Sequence, residues 1–214
     1  MIRAALFDMD GLLIDSEAIY ARGVQAVMGG LGVCITDDML ARALGTNQQT
    51  TNQIFAEGNP GYDGDQLHRA LGEYVVRNGY DRHMPLKPGA REILEHLTAR
   101  GVRCALVTSS PRIQADTYLG GAGLMEYFDA VVTGDDHLPS KPAPDVYLRA
   151  AALLGVEIGD CAVLEDSWNG LRAGRAAGAM TIMIPDLAPY GPEIAPCCDH
   201  VAKDLMEAEA LLCR

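Results

Sequence analysis

Two aspartates near the N-terminus, Asp8 and Asp10, end a short apolar run and are followed at once by Gly11. Carboxylates at the end of a buried strand suit a metal ion or an attacking nucleophile, because a hydrophobic core does not accommodate an unpaired charge. The segment therefore predicts a chemical site at the end of a first strand. Partners for these two acids are expected at the ends of other strands.

The elements that would position such a site follow from about residue 86 onward, where apolar runs alternate with helical patterns. Strands are predicted at 102–107, 130–133, 161–164 and 181–184, and helices from 90 to Gly101, after Pro111, around 146–154 and at 168–177. With the N-terminal strand, this alternation is typical of the α/β class. We expect a Rossmann-like, doubly wound parallel sheet with helices on both faces.

Residues 16 to about 84 break this alternation, and no good strand pattern is found in them. Helical stripes are predicted over 20–28, ending at Gly29 and Gly30, and over 67–75, with two shorter helices near 38–43 and 48–55. We therefore expect an α/β core domain formed by residues 1–15 and 86–214. A small all-helical cap domain, residues 16–85, would be inserted into it.

In open α/β sheets, ligands bind at the carboxyl ends of the strands, so polar residues at those ends are the candidates for function. In chain order they are Asp8, Asp10, Thr108, Ser109, Ser110, Lys141, Glu165 and Asp166. Acids, hydroxyls and a lysine would thus meet at one edge of the sheet. Asp135 and Asp136 follow the third predicted strand, but a solvated turn explains them equally well.

Composition limits the partners of this chain. The formal net charge of −12 argues against nucleic acid, whose phosphates are neutralised by basic patches. The N-terminus does not resemble a secretory signal, and no apolar run reaches the ~18–20 residues of a membrane span. We expect a cytoplasmic protein that binds a small molecule, with neither a membrane nor a nucleic acid as partner. Oligomeric state cannot be read from these features.

Four motifs occur in a fixed order: FDMDGLLIDSE, LVTSS, SKPAPD and LEDSWNG. In order and context they resemble the haloacid dehalogenase superfamily. The similarity extends from Ala5 to about Pro185, and it is to phosphatases of subfamily I with a helical C1 cap. β-Phosphoglucomutases, phosphoglycolate phosphatases and pseudouridine-5′-phosphatase-like proteins belong to this branch. The resemblance implies a Mg²⁺-dependent phosphomonoester hydrolase that acts on a sugar phosphate or nucleoside monophosphate through an aspartyl-phosphate.

The resemblance also implies a role for each acid. Asp8 would be the nucleophile, and Asp10 would act first as general acid and then as general base. Mg²⁺ would be held by the Asp8 carboxylate, the main-chain carbonyl of Asp10 and Asp166. Glu165 would act as a further ligand or through water. Oxygen ligands of this kind are what Mg²⁺ prefers.

The phosphoryl group would be bound by Thr108, Ser109 and Lys141, with Lys141 neutralising its charge and that of the acids. Each of these residues has a simpler explanation on its own. A threonine can end a strand, a serine can cap a helix and a lysine can lie on the surface. Their place beside the acidic motifs favours the functional role.

Other reactions of the superfamily fit less well. Asp10 argues against a dehalogenase, which needs no second aspartate, and the absence of lysine from residues 16–85 argues against a phosphonatase. A β-phosphoglucomutase-like mutase is closer, but mutases carry a histidine where this chain has Tyr20. Their cap loop also supplies cations that residues 44–48 lack, unless Arg22 or Arg42 folds inward. A non-catalytic phospho-signalling domain would not need a cap.

Substrate selection is expected to come from the inserted helices. The candidate contacts are Tyr20, Gly45, Asn47 and Gln48. Because these groups are polar or small and carry no charge, they suit a sugar or a nucleoside better than a second phosphate. This is the limit of what the sequence indicates about the substrate.

Overall fold

The structure, a computed structural model, describes residues 2–43 and 48–212. Within these residues the chain forms a six-stranded sheet in the order β3-β2-β1-β4-β5-β6, and every neighbouring pair is parallel. The strands are β1 Ala4–Phe7, β2 Arg103–Val107, β3 Ala130–Val132, β4 Cys161–Glu165, β5 Met180–Met183 and β6 His200–Val201. All carboxyl ends therefore lie along the same edge of the sheet.

Two helical layers cover the sheet. They comprise α5 Ala90–Ala99, α6 Arg112–Gly121, α7 Asp145–Leu154, α8 Trp168–Ala177 and α9 Leu205–Leu212. Because side chains alternate along a strand, Ala5 and Phe7 of β1 pack with α5, α6 and α9, whereas Ala4 and Leu6 pack with α7 and α8. The doubly wound α/β fold predicted from the sequence is confirmed.

Between β1 and α5, the described residues form four helices: α1 Ser16–Leu31, α2 Asp37–Ala43, α3 Gln48–Ala56 and α4 Gly64–Arg77. They surround an apolar cluster of their own, to which Val24, Phe55 and Leu67 belong. A separate cluster is what an inserted helical cap needs, because each helix must bury its apolar stripe against a neighbour. The exact domain boundaries stay a prediction.

The two chain segments that join these helices to the sheet run side by side. Ile14 and Leu86 form an isolated antiparallel bridge. The Asp15 N–H donates to the Pro85 carbonyl at 2.9 Å, and the Lys87 N–H donates to the Leu13 carbonyl at 2.9 Å. The cap helices thus begin and end at one paired linker, immediately after Asp8 and Asp10.

Some elements differ from the sequence prediction. The predicted end of the first cap helix at Gly29 and Gly30 is wrong, since α1 continues through both to Leu31 and ends at Gly32, whose φ is 67°. A glycine inside a helix lowers helix stability by about 1 kcal/mol but does not end the helix, whereas a residue in the left-handed conformation ends it. Strand β6 and helix α9 follow Pro185, where no element is predicted. No helix in the described parts has the length and apolarity to cross a membrane.

Candidate active site

The strand ends bring most of the predicted residues together. Asp8 follows β1, Thr108 follows β2, and β4 ends with Glu165, which Asp166 follows directly. All four side chains are buried although they are polar or charged. The parallel register explains their meeting, because Phe7 pairs with Leu106 on one side and with Leu164 on the other.

Lys141 reaches this edge from the loop after β3. Its ammonium donates to Asp8 Oδ1 at 2.6 Å, to Glu165 Oε1 at 2.6 Å and to the Val107 carbonyl at 3.0 Å. The side chain is only 6% exposed, so these three acceptors use its three N–H bonds in place of water. The sequence prediction that Lys141 faces the acid pair is therefore supported by the geometry at Asp8.

Charge and burial oppose each other at this pair. Burial raises the pKa of Asp8 to about 7, aided by the nearby Glu165 and Asp10 carboxylates and opposed by Lys141. For Lys141, burial acts against the charged form, but Asp8 and Glu165 outweigh it and raise its pKa well above the usual value. Lys141 is consequently a cation whose charge opposes the upward shift of the Asp8 pKa.

The acids form a possible metal site. Asp8, Glu165 and Asp166 each offer a carboxylate oxygen, and these oxygens lie within 4.8 Å of one another. Burial raises the pKa of Asp166 well above its usual value, and the charges of Glu17, Glu165 and Asp8 add to this. A set of buried oxygen donors that repel one another fits a hard divalent cation such as Mg²⁺.

Backbone geometry beside Asp166 depends on a glycine. Gly11 has a φ of 76°, and a Cβ there would overlap the Asp166 carboxylate. Gly11 thus serves two needs, since it allows the left-handed turn after Asp10 and leaves room for the acid from β4. This explains why glycine directly follows the two aspartates in the sequence.

Asp10 is held by hydroxyl groups rather than by a cation. Ser16 Oγ donates to Asp10 Oδ1 at 2.6 Å, and Ser110 Oγ donates to Oδ2 at 2.7 Å. Thr108 Oγ1 lies 3.4 Å from the same Oδ2 and accepts the Ser110 N–H at 3.0 Å. Half-buried Asp10 is therefore oriented by one residue of the cap and two residues after β2.

Glu165 is fully buried and its carboxylate is already surrounded by donors. Oε1 accepts from Lys141 and from the Tyr147 hydroxyl, at 2.6 Å each. Oε2 accepts from the Ser167 N–H at 3.1 Å and from Ser167 Oγ at 2.8 Å. Tyr147 gave no sequence signal, because it lies within the buried stripe of α7, where an aromatic residue is ordinary.

Several predicted residues are exposed rather than buried with this cluster. Ser109 is exposed, Tyr20 of α1 is 40% exposed, and Gln48 begins α3 on the exposed surface of the cap. Gln48 lines a cap groove of about 650 Å³ together with residues of α3 and α4. The remaining two candidates, Gly45 and Asn47, lie outside the described residues.

The aspartates after β3 have structural partners. Asp135 Oδ2 accepts the Arg112 N–H at 2.8 Å, at the start of α6. Asp136 Oδ2 accepts the Thr133 N–H at 2.7 Å and forms a capping box with Thr133. The turn interpretation of these two residues is therefore the one that the geometry favours.

Sequence reasoning missed two acids beside the site. Glu17 and Asp186 place carboxylate oxygens within 4.8 Å of each other and of an Asp166 oxygen. Burial raises the pKa of Glu17 to about 8, with the charges of Asp186 and Asp10 contributing. Asp186 follows β5 after only two residues, so the strand-end rule applied to the 181–184 strand would have found it. Glu17 is the last residue of the motif FDMDGLLIDSE, where its type alone does not distinguish it from a helix-start acid.

Comparisons with known proteins find similarity along most of the chain. A family model described as haloacid dehalogenase-like hydrolase matches residues 2–178. Hexitol phosphatase B of Escherichia coli (strain K12) is 35% identical over 187 residues, which cover 86% of this chain and 84% of that protein. The phosphorylated carbohydrates phosphatase of Thermotoga maritima is 30% identical over 177 residues, covering 83% and 82%. The crystal structure of CbbY from Rhodobacter sphaeroides in complex with phosphate is 27% identical, with a TM-score of 0.80 over 97% of this chain and 96% of that one.

Proposed function

We propose a reaction for this chain from the premise that it belongs to the haloacid dehalogenase-like hydrolases and is a phosphatase of that family. The chain hydrolyses monophosphate esters of small carbohydrates through an aspartyl-phosphate on Asp8. The observation that carries this proposal is the Lys141 ammonium 2.6 Å from Asp8 Oδ1. A buried carboxylate beside a permanent cation, at the edge where the sheet binds ligands, suits a nucleophile.

The reaction has two halves. In the first, an Asp8 oxygen bonds to phosphorus, the ester P–O bond breaks, and Asp10 gives its proton to the leaving oxygen. In the second, Asp10 takes a proton from water, which attacks phosphorus and releases inorganic phosphate from Asp8. Ser16 and Ser110 aim the Asp10 carboxyl during both halves. Thr108 donates its hydroxyl to a phosphoryl oxygen, and Lys141 offsets the charge that builds up there.

The carboxylates of Asp8 and Asp166 and the main-chain carbonyl of Asp10 would hold Mg²⁺. When bound, the cation screens the repulsion between the nucleophile and the phosphoryl oxygens. Glu165 is a weaker candidate for direct ligation, because Lys141, Tyr147 and Ser167 already donate to both of its oxygens. The assignment of a Mg²⁺ site is supported by the carboxylate oxygens of Asp8, Glu165 and Asp166, which lie within 4.8 Å of one another.

A phosphorylated carbohydrate is the favoured substrate, because two relatives are named for hexitol and carbohydrate phosphates. Nucleoside monophosphates remain candidate substrates, since the uncharged cap residues predicted from the sequence suit a nucleoside as well as a sugar.

The mutase alternative needs a cation in the cap for a second phosphate. Arg42 is engaged elsewhere, since it donates to both carboxylate oxygens of Glu57 at 2.6 and 2.8 Å on the surface of the cap. The cytoplasmic location and the absence of a nucleic-acid partner stay predictions.

The test is phosphate release from a panel of hexitol phosphates, aldose phosphates and nucleoside monophosphates, with Mg²⁺ or with EDTA. Asp8→Asn should abolish release, and Asp160→Asn, at the opposite end of the sheet beside β4, should leave it unchanged. Trapped phosphate on Asp8 would be sought by mass spectrometry. Release that survives Asp8→Asn would refute the aspartyl-phosphate. Isomerisation of glucose 1-phosphate without phosphate release would instead favour the mutase.

A further inference from the structure

A buried tyrosine that takes no part in the proposed chemistry contacts two members of the site. Tyr147 lies in α7, and its hydroxyl donates to Glu165 Oε1 at 2.6 Å. The centre of its ring is 5.2 Å from the Lys141 ammonium nitrogen. We propose that Tyr147 is a positioning residue that holds the Lys141 ammonium against Asp8. It acts through Glu165 and through its own ring, and the proposal builds on the aspartyl-phosphate reaction given above.

Glu165 is the link between Tyr147 and Lys141. The ammonium has three acceptors, and one of them, Glu165 Oε1, belongs to a side chain that other donors also hold in place. Tyr147 donates to that same oxygen, and Ser167 donates twice to the other oxygen. Four donors fill the capacity of a carboxylate, so Glu165 has one orientation in which every partner is satisfied. Its function is then to hold Lys141.

The space around Glu165 leads to the same conclusion. A Cβ at Gly170, in the first turn of α8, would overlap the Glu165 carboxylate. The carboxylate therefore occupies the place where a side chain of α8 would otherwise be. Because α8 fills the space beside it and Tyr147 donates to its Oε1, the carboxylate cannot turn to another rotamer without breaking buried hydrogen bonds.

The ring of Tyr147 contributes separately from its hydroxyl. An ammonium within about 6 Å of an aromatic centroid is attracted by the ring's electrons, more so where water is excluded. Phenylalanine would keep this attraction and lose only the hydrogen bond to Glu165. Leucine would lose both, so the two substitutions separate the two contributions.

The expected kinetic effect follows from what Lys141 touches. Its ammonium neutralises charge that develops as Asp8 attacks. Misplacing the ammonium therefore reduces the stabilisation of the transition state more than it reduces the binding of the substrate. We expect Tyr147→Phe to lower kcat about tenfold, as loss of a hydrogen bond to a charged group does, with KM within about twofold. Tyr147→Leu should lower kcat further, because the ring is also lost.

A structural role would produce a different result. Leu154 is buried in the same helix and the same apolar cluster, far along α7 from Glu165. Leu154→Ala should lower the unfolding temperature and leave kcat of the folded enzyme unchanged. If Tyr147→Phe behaves like Leu154→Ala, with lower stability and wild-type kcat, the proposal is overturned. Wild-type and Asp8→Asn proteins, assayed alongside, report separately on the proposed reaction.

A second measurement needs neither activity nor metal. The chain has three lysines, Lys87, Lys141 and Lys203, so protein labelled with ¹⁵N at lysine Nζ gives a simple spectrum. The buried Lys141 ammonium should give a slowly exchanging signal, identified by its loss in Lys141→Arg. In Tyr147→Phe this signal should shift and exchange faster. An unchanged signal overturns the proposal even if the enzyme is active, whereas a changed signal supports it even if the aspartyl-phosphate reaction is refuted.

Discussion

The hydroxyl of Ser16 donates a hydrogen bond to Asp10 Oδ1 across 2.6 Å. Ser16 is the first residue of α1 and hence of the cap helices, whereas Asp10 belongs to the turn after β1. The proposed acid–base residue is therefore oriented by the helical insertion itself. Any movement of α1 relative to the sheet changes this contact directly.

Ser16→Ala tests whether this contact orients Asp10. We expect kcat to fall about fivefold, because Asp10 keeps its bond from Ser110 but loses one of two strong donors. Steady-state kinetics on the best substrate of the panel measure the change. Thr98→Ala is the control, since the Thr98 hydroxyl donates to the Leu94 and Glu95 carbonyls of its own helix, α5. Equal kinetics for the two variants would contradict the prediction.

Gly170→Ala should damage the site through Glu165. The new methyl group would overlap the Glu165 carboxylate, which must then leave Lys141 or push α8 away from the sheet. We expect loss of about 1–3 kcal/mol of stability and a drop of kcat of at least about tenfold. Gly72→Ala in α4 is the matched control, because its Cβ meets nothing within 4 Å. That variant should be slightly more stable and fully active. Chemical denaturation and kinetics decide between the two outcomes.

Glu17 should make the metal-free protein less stable as the pH rises. Its pKa is raised from 4.5 to about 8 on folding, chiefly by burial, so the ionised form is disfavoured in the native state. Stability from this residue is therefore complete below pH 4.5 and is lost as the pH increases to about 8. The unfolding temperature of Glu17→Gln in EDTA should exceed that of wild type increasingly from pH 5.5 to pH 8.5. Glu73→Gln, at an exposed position of α4, should show no such trend.

Lys87 should stabilise the linker between the cap helices and the sheet. Its ammonium lies 2.6 Å from Asp186 Oδ1 and 3.5 Å from Asp15 Oδ1, and all three side chains are partly buried. Lys87→Met should cost about 2–3 kcal/mol, because Asp186 would then be left without its cation. Asp186→Asn combined with Lys87→Met should recover part of this loss.

Lys203→Met provides the comparison for that experiment. Lys203 is 78% exposed and its nitrogen lies 3.9 Å from Asp204, so its removal should change stability by less than about 0.5 kcal/mol. Urea denaturation of the four proteins measures the differences. If Lys87→Met and Lys203→Met are equally mild, the ion pair at the linker has no structural importance.

The sequence alone determined the fold class and the first five strands of the sheet, but not β6 or α9. The helices and strands depend on local patterns, apolar residues at helical spacing in α5 or continuous apolar runs in β4, and these patterns act within a few residues. The strand-end rule then selected Asp8, Thr108, Lys141 and Asp166, which the structure brings to one edge. Their catalytic roles stay predictions. Where local patterns were weak, as for Gly29 and Gly30 in α1, the predicted helix end was wrong.

Only the tertiary structure decided which side chains touch. Lys141 and Asp8 are 133 residues apart in the chain, and their contact depends on the order in which β1, β2 and β3 pair. The partners of Glu165 depend on α7 and α8 packing on the same face of the sheet, which places Tyr147 and Gly170 around one carboxylate. Sequence periodicity tells which face of an element is buried, but hydrogen bonds depend on distances of a few tenths of an ångström that only packing sets.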